Sequence, residues 1–241
     1  FKKLSAEGIL SHIESVFPAD SVPAWITIFT GLNPARHGII RGKDYVESVE
    51  SFEDKTIFRL PGTTFWDTLS TSGNKCLVIN PFLAYPAWDI YGFMESGPAF
   101  VTGEPSLFPA GSQSLHPEVL GGYSPVSNLM GLKEEMETVF TDTEKLWEEY
   151  EFQSSRDTYD LEFVTFTTLD RLQHYTWRYY DINDPLYEKD EYLSGCILNL
   201  LKLFDNKLSC LISEMKKDDI LVLVSDHGFR QRPYNLINLN E

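Results

Sequence analysis

The sequence predicts an α/β fold, a three-layer α/β/α sandwich around a mostly parallel sheet, and three observations carry that expectation. Ile220-Leu-Val-Leu-Val224 is apolar throughout, the texture of a parallel strand covered on both faces. Tyr187 to Lys217 places Leu193, Ile197, Leu200, Leu201, Phe204, Leu208 and Leu211 at i+3/i+4 spacing, the period of a helix. Strand-like and helical stretches alternate along the chain, as layered α/β folds require. With 241 residues, 42% of them hydrophobic and 14% aromatic, the chain can bury a core as one domain over 1–241.

Taken in order, Phe1 to Gly8 reads as the last turns of a helix closed by a glycine. Ile9 to Phe17 alternates in part and is compatible with a strand leading into the loop Pro18-Ala-Asp-Ser21. Pro23 suits the first turn of a helix that continues through Thr30 to Gly31, which puts Ser21 just before that helix. Thr63 or Thr64 caps a helix through Leu69, Gly73 ends it, and Lys75 to Ile79 reads as a strand. From Asn80 to about Gly131 the chain turns to Pro, Gly, Ser and aromatics. That is long for a connection and aromatic for a linker, so residues 80–131 are expected to form an insertion packed near the pocket. Glu134 to Glu151 is helical in composition, and Leu161 to Phe166 is the next strand.

The net charge of −16 repels phosphate backbones and argues against a nucleic-acid duplex as partner. A small phosphorylated substrate is compatible with it, because bound divalent cations reverse the local field. Three cysteines, Cys76, Cys196 and Cys210, without a C-x-x-C pair, make no disulfide framework and point to a reducing, cytoplasmic compartment. Cys196 and Cys210 fall on the long helical stretch and read as core residues. No apolar run has the length of a membrane span.

Two acid–imidazole pairs follow strand-like runs: Asp226-His227 after Ile220–Val224, and Asp170…His174 after Leu161–Phe166. Side chains at strand carboxyl ends converge on one crevice, and carboxylates with imidazoles are good ligands for divalent ions, so the pattern suggests a two-metal hydrolytic centre. An i,i+4 spacing on a helix brings Asp170 and His174 onto one face. Each residue also has an ordinary reading: Asp226 closing a turn, Asp170 as a helix cap, Ser21 or Asp20 capping the helix that follows. A serine hydroxyl such as that of Ser21 needs a base or a metal to become nucleophilic. His37, in the turn Pro34-Ala-Arg-His-Gly38, reads as structural; His116 reads as a surface residue.

Phe17-Pro-Ala-Asp-Ser-Val-Pro23, continued by Thr30-Gly-Leu-Asn-Pro-Ala-Arg-His-Gly-Ile39, resembles the nucleophile segment of the type I phosphodiesterase/nucleotide pyrophosphatase family of the alkaline phosphatase superfamily. The family's form is F-P-x-x-[TS]-x-P, then T-G-x-x-P-x-x-H-G-I. Asp170-Arg-Leu-Gln-His174 resembles its D-x-x-x-H motif, and Asp226-His227-Gly228 its D-H-G motif. The resemblance implies Ser21 as nucleophile, one divalent metal on Asp170 and His174, and a second on Asp226 and His227 with Ser21. It implies zinc, with manganese as an option, and in-line displacement at phosphorus. The family's remaining aspartate and histidine ligands are expected before Phe1 and beyond Glu241. Gly42 stands where nucleotide pyrophosphatases place an asparagine, with Lys43 beside it, which favours a general phosphoester reading. Hydrolysis of a phosphodiester or pyrophosphate is expected. The alternatives are a phosphomonoesterase, a metal-dependent phosphomutase, and a non-catalytic ligand-binding relative. A sulfatase is opposed by Ala24-Trp25, which lacks the arginine of that family's nucleophile context.

Overall fold

A computed structural model describes residues 1–41, 50–52, 55–57, 60, 62–97, 105–117 and 128–230; Gly42 and Lys43 lie outside the described residues. The helices are α1 (Lys2–Glu7), α2 (Ser21–Thr30), α3 (Pro34–His37), α4 (Phe65–Thr71), α5 (Leu129–Ser154), α6 (Thr168–Tyr180) and α7 (Glu191–Glu214). Strands β1 (Glu50–Phe52) and β2 (Lys55–Ile57) pair antiparallel by themselves. The main sheet has four strands in the order β5-β4-β3-β6, made of β3 (Cys76–Ile79), β4 (Gly92–Ser96), β5 (Ser106–Phe108) and β6 (Leu161–Val164). β3 runs parallel to β4 and β6, and β5 is antiparallel at one edge. The fold is mixed α/β with a mostly parallel sheet. Two of its strands, β4 and β5, come from within residues 80–131, so part of that stretch is sheet rather than a cover over it.

Local chemistry starts the helices, at α4 where the sequence indicates and at α7 only from Glu191 rather than from Tyr187. Thr64 and Asp67 form a reciprocal capping box at α4, and Asp190 accepts from Tyr192 N and Leu193 N at α7. Gly31 closes α2 in the left-handed region, φ 68°. The central strand then divides the core. Cys76 and Val78 of β3 pack with Phe29 of α2, Trp66 of α4 and Met94 of β4, whereas Leu77 and Ile79 pack with Leu146, Trp147 and Tyr150 of α5 and Leu208 of α7. This is the two-residue alternation of a strand with apolar partners on both faces. A third cluster joins α5, α6 and α7 through Met136, Val139, Leu172, Leu193 and Leu200.

Two expected strands do not form. Ile220 to Val224 has no sheet partner among the described residues, and Ile220 and Val222 are 86% and 74% exposed. Ile9 to Phe17 is likewise unpaired there, with Ile9 and Phe17 exposed. Apolar texture suits a strand to burial, but a strand exists only where a neighbour completes its ladder. Among the described residues β6 is bonded to β3 alone, and neither run forms a ladder with its outer edge, although Leu221 packs in the same apolar cluster as Val164. Cys210 also departs from expectation: it lies on α7 but is exposed, while Cys196 is buried. No helix among the described residues is long and apolar enough to cross a membrane.

Candidate active site

The carboxyl ends of β3 and β6 are tied together by Asn80, whose Nδ2 donates to Thr165 O at 2.9 Å. Beyond that point β6 turns into α6, and helical spacing sets Asp170 and His174 on one face, Oδ2 to Nε2 3.4 Å. Ser21 is the first residue of α2 rather than the residue before it. The cap is Asp20, whose carboxylate accepts from Val22 N at 3.0 Å and so leaves the Ser21 hydroxyl outside the capping bonds.

The segment after Val224 brings the third motif to the same place. His227 Nε2 stands 2.7 Å from Ser21 Oγ and 3.3 Å from Asp226 Oδ2. Its Nδ1 is 3.0 Å from Gly228 O, an acceptor for an Nδ1 proton; in the neutral tautomer protonated there, the Nε2 lone pair faces Ser21. Ser15 Oγ donates to Asp226 O at 2.6 Å and pins the same turn. Burial pushes the Asp226 carboxyl up, the His227 imidazole opposes this, and the Asp170 carboxylate raises it further. The two acid–imidazole pairs therefore share one electrostatic neighbourhood.

Phe229 closes the arrangement. Its ring meets His174 edge-on at 5.0 Å and Trp177 at 5.1 Å, fastening the D-H-G turn to α6. Neither Phe229 nor Ser15 stood out in the sequence. The available signal was an aromatic immediately after a polar motif, which periodicity does not weigh. Arg171, buried between the two α6 ligand candidates, was also missed; a charge inside an amphipathic helix reads by default as its wet face.

The donor chemistry fits divalent cations. Two ligands of one tetrahedral zinc, each at about 2.0–2.1 Å, stand roughly 3.3–3.4 Å apart, which matches the 3.4 Å of Asp170–His174 and the 3.3 Å of Asp226–His227. Among the described residues no group of three or more His, Cys, Asp or Glu stands at metal-binding spacing. His37 is structural as expected: buried, accepting from Ile39 N at 3.2 Å on Nδ1, with Nε2 on Thr27 Oγ1, and its pKa is lowered chiefly by burial. His116 pairs with Glu148 at 2.7 Å. A cavity of about 940 Å³ lies at the opposite, amino ends of β3, β4 and β6 and is lined by Lys75, Tyr91, Arg156 and Tyr159; none of the three motifs reaches it. Ligands of open α/β sheets gather at strand carboxyl ends, the end at which the three motifs stand.

No curated protein and no solved structure matches the chain. A family model does: that of type I phosphodiesterase / nucleotide pyrophosphatase, over residues 1–241.

Proposed function

The chain belongs to the type I phosphodiesterase / nucleotide pyrophosphatase family and is a phosphoric ester hydrolase; on that premise we propose that it cleaves small phosphodiesters or pyrophosphates with Ser21 as nucleophile. The observation that carries this reading is the 2.7 Å contact of Ser21 Oγ with His227 Nε2, between residues 206 apart in sequence. The contact is made at the His227 nitrogen whose lone pair would go to an ion held by Asp226 and His227, and that ion would then supply the activation of the Ser21 oxygen. In an in-line displacement the Ser21 oxygen forms its bond to phosphorus as the opposite P–O bond breaks, and water then releases the phosphoryl group from Ser21.

Asp170 with His174 would hold one divalent ion, and Asp226 with His227 a second that also reaches Ser21; zinc suits the mixed N/O donors and manganese is the option. When bound, such ions stabilise charge on the entering and leaving oxygens. The same reading takes 1–241 as one catalytic domain, the helices on both sheet faces as the outer layers of an α/β/α sandwich, and the non-strand parts of 80–131 as a wall near the pocket. The packing of β3 against α2 and α4 on one side and α5 and α7 on the other supports the layers.

The test uses bis-p-nitrophenyl phosphate beside the monoester. Turnover of the diester is expected to exceed that of the monoester, and Ser21→Ala should lower kcat by at least about a thousandfold without changing the fold. Full activity in that variant would remove Ser21 from the mechanism. No turnover and no bound metal in the intact protein would instead identify a ligand-binding relative.

A further inference from the structure

We propose that Arg171 is a positioning residue for the Asp170/His174 pair, setting the rotation and height of α6 against α5; this rests on the reading of that pair as cation ligands. Arg171 occupies the second place of the D-x-x-x-H run and is 2% exposed despite its charge. Its Nε and Nη2 reach Glu135 Oε1 at 2.8 and 2.6 Å, and its Nη1 reaches Asp142 Oδ2 at 2.8 Å. Both carboxylates belong to α5 and stand about two turns apart on one face. A guanidinium is a rigid fork, so holding both at once fixes direction as well as distance.

The residue just before Arg171, Asp170, is the ligand candidate itself. Side chains end roughly 5–6 Å from a helix axis, so a 10° rotation of α6 moves the Asp170 carboxylate by about 1 Å. Donor groups need placement to within about 0.5 Å to hold an ion well. Apolar packing does not supply that. Leu172 is buried against Met136 and Val139, but such contacts are non-directional and tolerate rotation. A second tie lies between the same two helices, where the buried hydroxyls of Thr143 and Thr168 meet at 2.8 Å. Two directional contacts between α5 and α6 define one rotation.

Titration of the full chain with Mn²⁺ alone, followed by calorimetry, tests the idea. Arg171→Lys keeps the charge but loses the fork, and is expected to weaken Mn²⁺ binding about tenfold with unchanged far-UV circular dichroism. Glu135→Gln, which leaves Asp142 holding the guanidinium, should weaken it by roughly threefold and reports even if the lysine variant does not fold. Thr176→Val, in the buried interior of the same helix, serves as the comparator for stability loss without loss of registration. Equal weakening in that comparator at matched thermal stability would overturn the proposal. So would wild-type binding in both Arg171→Lys and Glu135→Gln while Asp170→Asn weakens it. If Asp170→Asn and His174→Ala leave Mn²⁺ binding unchanged, the ligand reading itself fails and takes the proposal with it.

Discussion

His227 shows how one backbone atom sets the chemistry of a side chain. The Gly228 carbonyl, 3.0 Å from Nδ1, accepts a hydrogen bond in the tautomer protonated there, and in that tautomer the Nε2 lone pair is turned towards Ser21. Gly92 makes the same point about backbone approach. At φ 139° a Cβ there would stand 1.9 Å from Cys76 O, inside the β3–β4 ladder. Gly92→Ala is therefore expected to cost about 3 kcal/mol or more, since both the φ and the contact oppose it. Thermal unfolding should show the melting temperature falling by roughly 10 °C; an unchanged melting point would mean that β4 pairs in some other way.

At the scale of elements, β4 and α5 are joined through acids. Ser114 Oγ lies 2.9 Å from Glu95 Oε1 and 3.1 Å from Glu149 Oε2, and Glu149 also accepts from Leu115 N, His116 N and Gln153 Nε2. The Glu149 carboxylate is thus well solvated by donors, while Glu95 is buried beside it with little of its own. Burial first, and then the Glu149 charge, push the Glu95 carboxyl up from 4.5 to about 8. The folded protein keeps a proton that the unfolded chain releases above about 4.5, so this stability is present below that pH and is lost as pH rises through about 8. Glu95→Gln replaces the neutral acid with a neutral amide. Urea unfolding at pH 5 and pH 8 should show the wild type losing on the order of 3 kcal/mol more than the variant over that interval. Equal losses in the two proteins would place an ionised Glu95 in the fold.

On the scale of the whole molecule, the exposed apolar runs matter most. Ile220, Val222 and Leu223 at one end and Ile9, Leu10, Ile13 and Phe17 at the other are all more than half exposed. Apolar side chains collected in this way bind hydrophobic dyes and invite association. The 241-residue chain is expected to enhance anilinonaphthalene sulfonate fluorescence while folded, and Ile220→Thr with Val222→Thr should reduce it. The same pair should leave the melting temperature nearly unchanged, because side chains that bury nothing contribute little. A drop of many degrees would show that the run is packed in solution.

Much of this was legible in the residues because it depends on near neighbours along the chain. Capping boxes, helix periods, the buried β3 run and the i,i+4 pairing of Asp170 with His174 are decided within a turn or two, and the expected elements from Thr64 to Glu214 follow from them. The candidate site residues were legible as motifs, since each acid–imidazole pair is local. What the tertiary structure alone decided is long-range: that Ser21 and His227 meet, that Phe229 folds back onto α6, that Arg171 bridges two turns of α5, and that two strands of the sheet arise within 80–131. It also decided against the strand at Ile220–Val224. Hydrophobicity is a property of a segment, but a ladder belongs to two segments, and a sequence read one stretch at a time states only half of that condition.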